Sequence, residues 1–244
     1  MTSPPHPTAI AAPDLRGLWV PVVTPFDDRG RVDGPALEQL ARRLLADGVT
    51  GLVALGTTGE PATLDPAERR LVVETCDRAC RAAGRPLLVG AATSSTATTI
   101  DEVERLTAGT SAVAALVMVP PHTRPSVAGV VAHYAAVAEA SGVPIVAYHV
   151  PYRTGLPLDA AALLAIGEHP RVVGIKQSVG ALDVGALVTR LAVIAVRQGS
   201  VDPQLAVGQP VPAEQQPHQR RLAGAGDADD RDMLAGGDRE IERL

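Results

Sequence analysis

Apolar runs alternate with helical patterns along most of the chain. Gly17 to Thr24 (GLWVPVVT) predicts a strand that Pro25 ends. Pro35 to Asp47 predicts a helix, with Leu37, Leu40, Leu44 and Leu45 on one stripe and Gly48 as the stop. Gly51 to Leu55 reads as a short buried strand. Asp65 and Pro66 suit the N-cap and first position of a helix running to about Ala83, which Gly84 closes. Strands are predicted over Pro86–Ala91, Ala114–Val119, Val143–Tyr148 and Val172–Lys176. Helices are predicted over Thr96–Ala108, Ser126–Ser141, Asp159–Glu168 and Ala181–Ala192.

The predicted strand ends fall at Thr24, Leu55, Ala91, Val119, Tyr148 and Lys176. That rhythm of roughly 30 residues is the size of a βα unit. The strands are continuous apolar runs, as expected when both faces are buried in a parallel sheet. A doubly wound sheet needs a Gly-rich turn after its first strand, and Thr24-Pro25-Phe26 cannot serve as one. The expected fold class is therefore α/β, a (β/α)8 TIM-barrel type.

About six βα units are recognisable, and strands 7 and 8 are not. At the same rhythm a seventh strand would end near residue 205, where the chain reads VDPQLAVGQPVP. Pro203, Pro210, Pro212 and Pro217 would each remove a ladder donor. Six of the eight glutamines lie after residue 194, so the composition changes there too. The expected organisation is a Pro-rich disordered tail over 1–14, a partial barrel over 15–192 and an atypical tail over 193–244. A shift of reading frame past codon 192 would produce such an abrupt change.

Composition narrows the function. The net charge of −5 and the lack of a basic run argue against a nucleic-acid binder. No apolar run approaches the roughly 18 residues that span a membrane. Cys76 and Cys80, four apart on a predicted helix, suit packing better than a bridge or a zinc pair. A reducing, cytoplasmic compartment fits them. The histidines show no metal-ligand spacing, so no metal is expected. Asp227, Asp229, Asp230 and Asp232 lack the spacing of a calcium loop. Of the 22 basic residues, one alone is lysine: Lys176.

Lys176 ends the strand Val172-Val173-Gly174-Ile175-Lys176. In isolation it could be a snorkelling side chain. As the sole lysine, at a strand end where barrels keep their chemistry, it reads as a desolvated amine able to attack a carbonyl. Tyr148 ends the preceding strand and can shuttle protons, although a half-buried strand tyrosine is common. Gly56-Thr57-Thr58-Gly59-Glu60 offers hydroxyls and backbone N–H groups for a small carboxylate, and by itself is a weak signal. Arg153 lies in a loop after the fifth strand and can hold a carboxylate through two parallel hydrogen bonds.

Four segments in order and spacing resemble the dihydrodipicolinate synthase / N-acetylneuraminate lyase family of class I, pyruvate-dependent aldolases. They are Val23-Thr24-Pro25-Phe26, Gly56-Thr57-Thr58-Gly59-Glu60, Tyr148-His149-Val150-Pro151-Tyr152-Arg153-Thr154-Gly155 and Gly174-Ile175-Lys176. The resemblance runs from about Gly17 to Ala192. It implies that Lys176 forms a Schiff base with pyruvate, that Tyr148 is the acid/base residue and that Thr57 joins it in a proton relay. Thr57 and Thr58 would bind the pyruvate carboxylate, and Arg153 the carboxylate of the second substrate. The double threonine and the arginine resemble the synthase branch, which condenses pyruvate with L-aspartate 4-semialdehyde to give 4-hydroxy-tetrahydrodipicolinate in lysine biosynthesis. The resemblance implies no metal, no organic cofactor and a homo-oligomer, a tetramer or dimer, with small molecules as its other partners.

Several positions depart from the family pattern. Pro121 and His122 stand where the synthases usually have paired tyrosines, and His122 could pass protons instead. His149 and Gln177 replace the usual Asn and Glu. Ser94 and Thr98 stand where lysine-regulated synthases carry Asn and Glu, so feedback by lysine is not expected. These changes leave two alternatives: a related aldolase or hydratase-aldolase using another aldehyde, and a truncated, catalytically impaired family member.

Overall fold

The computed structural model describes residues 12–178 and 192–195. Seven parallel strands form one sheet in the strict sequence order β1-β2-β3-β4-β5-β6-β7. They are β1 (Trp19–Pro21), β2 (Gly51–Ala54), β3 (Leu87–Ala91), β4 (Ala112–Met118), β5 (Ile145–His149), β6 (Val172–Gln177) and β7 (Ala192–Ala195). A doubly wound sheet reverses its strand order, whereas a barrel adds each strand beside the last. The order is therefore that of a barrel wall, with β1 and β7 at its two edges.

The helices between strands are α1 (Gly34–Ala46), α2 (Pro66–Ala83), α3 (Thr96–Thr107), α4 (Val127–Ala140), α5 (Pro151–Thr154) and α6 (Ala160–Ile166). Their starts follow from local chemistry. Asp65 accepts from the Glu68 N–H while the Glu68 side chain accepts from the Asp65 N–H, a reciprocal capping box. Asp33, Ser95, Ser126 and Asp159 cap α1, α3, α4 and α6 without the reciprocal bond, each side chain accepting from a backbone N–H in the first turn. Gly84 ends α2 at a φ of +61°, a value that costs glycine little.

Two layers of core lie on opposite faces of the sheet. Leu15, Trp19, Val53, Leu88, Ala114, Leu116, Val146 and Tyr148 fill the inner face. Trp19 donates from Nε1 to the Leu15 carbonyl at 2.9 Å, satisfying its polar edge inside that core. Alternate strand residues such as Val89, Val117, Ala147 and Ile175 face the helices. Cys76 and Cys80 belong to this outer layer, and burial pushes their thiols up to about 12 and about 11. His133 of α4 is also buried there, with Nδ1 2.9 Å from the Thr96 hydroxyl, and burial pushes it down to about 4.

Most predicted elements stand within two residues of their expected bounds, and three differences matter. First, β1 shrinks to Trp19–Pro21, the last ladder bond running from the Val22 N–H to the Val53 carbonyl at 3.0 Å. Second, the loop after β5 winds into the short helix α5, which the sequence pattern did not reveal. Third, a seventh strand exists at Ala192–Ala195, paired in parallel with β6 through Lys176↔Ile194 and Gln177↔Ala195. The interval before it is shorter than the earlier βα spacing, which brings the strand in ahead of the position near residue 205 that the rhythm predicts. Ala192 thus opens a strand rather than closing a helix, and the predicted helix before it lies outside the described residues. The expected tails likewise lie outside them, apart from residues 12–14 and 193–195.

Candidate active site

The site is built where β5 and β6 end side by side. Parallel pairing sets Tyr148 opposite Lys176 and, one step on, His149 opposite Gln177. Side chains alternate across a sheet, so one pair faces the interior and the other the helices. Tyr148 belongs to the inner core, and the Lys176 Nζ lies 4.2 Å from the centroid of its ring. Lys176 is only 6% exposed. Burial disfavours its ammonium form and lowers its pKa; Tyr152 opposes this shift and the Arg153 charge adds to it.

The Tyr148 hydroxyl lies 3.4 Å from the Thr57 hydroxyl, across 91 residues of sequence. Thr57 reaches it from a 3-10 turn, Thr57–Gly59, just beyond β2. Two features hold that turn. Leu55 takes a left-handed φ of +55°, which swings the chain off the strand end. A side chain on the neighbouring Gly90 would overlap the Leu55 carbonyl, so glycine there makes room for the turn. Then Thr24 donates to the Gly59 carbonyl at 2.7 Å, tying the first two motifs together.

A cavity of about 1030 Å³ opens beside these groups. Thr57, Tyr148, Arg153 and His122 all line it. Lys176 packs on the Tyr148 ring and is not itself a lining residue. Thr58 is exposed and stands away from the lining, so the two threonines of the turn are not equivalent. Arg153, on α5, is exposed at the rim. His122 is exposed on the opposite loop at a left-handed φ of +67°. That loop is tethered by Ser94, whose hydroxyl donates to the Pro121 carbonyl at 2.9 Å.

Three lining residues escaped the sequence reading. Arg69 and Glu102 pair at 2.6 Å, and Arg69 also donates to the Pro61 carbonyl at 3.0 Å. They sit 33 residues apart on two helices, and nothing local links them. Tyr152 is the third; its neighbour Arg153 carried the motif, and the tyrosine itself fitted no pattern. On the helix side, His149 and Gln177 are both buried, with His149 Nδ1 2.7 Å from Gln177 Oε1. His149 Nε2 accepts from the Leu158 N–H at 3.0 Å. An accepting Nε2 leaves Nδ1 as the protonated nitrogen, so the imidazole is neutral and donates to Gln177. Burial lowers the His149 pKa, and the Gln177 bond opposes that shift.

The arrangement offers a buried amine, a phenol joined to a hydroxyl, and a cation at the rim of a cavity. Among the described residues no cluster of His, Cys, Asp and Glu could hold a metal ion. No described helix is long and apolar enough to cross a membrane.

Known proteins resemble the chain in sequence and in fold. The chain is 41% identical over 179 residues to a 4-hydroxy-tetrahydrodipicolinate synthase of Stenotrophomonas maltophilia, covering 73% of this chain and 59% of that protein. It is 44% identical over 165 residues to the enzyme of that name from Xylella fastidiosa, covering 67% and 54%. Among solved structures, the chloride-inhibited dihydrodipicolinate synthase of Acinetobacter baumannii complexed with pyruvate superposes with a TM-score of 0.70 at 33% identity, covering 74% of this chain and 63% of that one. The chain thus spans less than two thirds of each of these relatives. Residues 14–199 match the dihydrodipicolinate synthetase family, which carries the likeness past Ala192 and through β7. The curled parallel sheet, the four motifs in register and this match together place the chain in the dihydrodipicolinate synthetase family.

Proposed function

We propose that the chain is a class I aldolase that joins pyruvate to an aldehyde through Lys176. One observation carries this reading: the only lysine is buried against Tyr148, whose hydroxyl shares a hydrogen bond with Thr57 at the cavity wall. A desolvated amine spends more time neutral and can add to the pyruvate ketone. The resulting carbinolamine loses water to give an iminium. The iminium withdraws electrons, so a methyl proton leaves and an enamine forms. The enamine carbon then bonds to the aldehyde carbon, whose oxygen takes up a proton.

In this scheme Tyr148 gives and takes the protons, and Thr57 orients its hydroxyl. The Thr57 hydroxyl and nearby backbone N–H groups bind the pyruvate carboxylate; Thr58 contributes through the turn, since its side chain is exposed. Arg153 binds a carboxylate on the acceptor. The likeness to proteins named 4-hydroxy-tetrahydrodipicolinate synthase favours L-aspartate 4-semialdehyde as that acceptor. No metal or organic cofactor takes part, and the chain works as a cytoplasmic homo-oligomer. His122 on the cavity wall relays protons at the rim and favours a second reading, in which the acceptor is a different aldehyde.

Borohydride reduction with pyruvate, followed by intact mass and peptide mapping, tests the proposal. The expected result is one pyruvate adduct, on Lys176. A folded, soluble sample that takes up no pyruvate would overturn it and favour an impaired family member.

A further inference from the structure

The chain contains five aromatic residues, and four of them, Trp19, Phe26, Tyr134 and Tyr148, are buried. The fifth, Tyr152, is 64% exposed and lines the cavity. An isolated exposed ring is ordinary on a protein surface, so what matters at this one is a partner. Its neighbour supplies one: the Arg153 guanidinium carbon lies 5.4 Å from the centre of the Tyr152 ring. Among the described residues no carboxylate pairs with Arg153.

The backbone beneath them is fixed. Gly155 donates to the Pro151 carbonyl at 2.7 Å, and the Thr154 side chain is buried. Arg124, from the β4–α4 loop, lies against Gly155; a Cβ there would come within 2.6 Å of its Nε. A ring on a short pinned helix can restrain a long cationic side chain whose partner has yet to arrive.

We propose that Tyr152 is a positioning residue for acceptor recognition: its ring holds the Arg153 guanidinium over the cavity mouth, so that aldehydes bearing a carboxylate are selected over uncharged ones. Holding the fork in place before binding reduces the freedom lost when a carboxylate docks. The attraction of an exposed ring for a guanidinium corresponds to about a two- to five-fold effect on binding. The ring rather than the hydroxyl carries the role. This proposal rests on the aldolase reading of the cavity.

The test uses the full chain, reduced with borohydride in the presence of pyruvate, and compares wild type with Tyr152→Phe and Tyr152→Ala. Binding of succinate semialdehyde and of butanal to the trapped proteins is then measured by calorimetry. Tyr152→Ala should still trap pyruvate and weaken succinate semialdehyde about two- to five-fold, with butanal unchanged and Tyr152→Phe restoring wild-type binding. Absence of trapping in the wild type would overturn the aldolase reading and this proposal together. With trapping intact, the proposal alone is overturned if Tyr152→Ala leaves succinate semialdehyde unaffected, if Tyr152→Phe is equally damaged, or if both aldehydes weaken alike.

Discussion

Two neighbouring pairs of polar residues bridge β5 and β6, and they are treated in opposite ways. Tyr148 and Lys176 face the interior; His149 and Gln177 face the helices. All four are buried. The outer pair is closely bonded, with His149 using both ring nitrogens at 2.7 and 3.0 Å. The inner pair is loosely held: the lysine lies on a ring face, and the phenol has a single long contact of 3.4 Å with Thr57. The outer pair is not fully satisfied either: among the described residues Gln177 Nε2 is buried with no hydrogen-bond partner. His149 therefore reads as a clamp on the strand ends, and the lysine and phenol of the inner pair as the more loosely engaged groups.

The largest expected effect comes from removing the inner amine. Lys176→Ala should lower turnover by about 10³-fold or more and abolish borohydride trapping, because no other side-chain amine can replace the nucleophile. Steady-state rates and intact mass check both outcomes. Tyr148→Phe should come next, with a fall of about 10²- to 10⁴-fold in kcat, the usual range for a general acid/base. Single-turnover kinetics should place that loss in the proton-transfer steps. If Tyr148→Phe only lowered stability, the contrast between the inner and outer pairs would collapse.

The outer pair should show the converse. His149→Ala leaves the Leu158 N–H and the Gln177 carbonyl buried without partners, at a cost of about 1–3 kcal/mol in chemical denaturation. His149→Asn, which can still donate and accept, should recover part of that loss. A change in trapping rate without a change in stability would contradict the assignment.

A further effect is the pH dependence of the outer layer. Burial holds His133 at about 4 and lowers His149, both from 6.5. Below 6.5 the unfolded chain binds protons that the folded chain resists. Stability is thus fully present above the unfolded value and falls as the pH drops from 6.5 towards about 4. Thermal melts across that range should show a declining Tm, and His133→Gln should flatten the decline.

Much of this was legible along the chain, and the reasons are local. The stripe of Leu37, Leu40 and Leu44, the Asp65 N-cap and Gly84 are short-range devices that need no tertiary context. Lys176 stood out by composition alone. What the sequence hid depends on register or distance. His149 and Gln177 appeared as two separate departures, and only parallel pairing 28 residues apart makes them one unit. Arg69 and Glu102 meet because α2 and α3 are neighbours, a fact no periodicity records. The strand Ala192–Ala195 is apolar enough to be read, yet its place depends on the length of the connection before it, which hydrophobic pattern does not specify.

The solitary lysine has an experimental consequence. Acylating reagents that modify amines meet one side chain of this kind in the whole sequence, and it sits 6% exposed beside the cavity. Its rate of acylation is therefore a gauge of access to that buried amine, readable by mass without a substrate or a coupled assay. Protection by pyruvate, followed in the same measurement, would report the occupied fraction of sites.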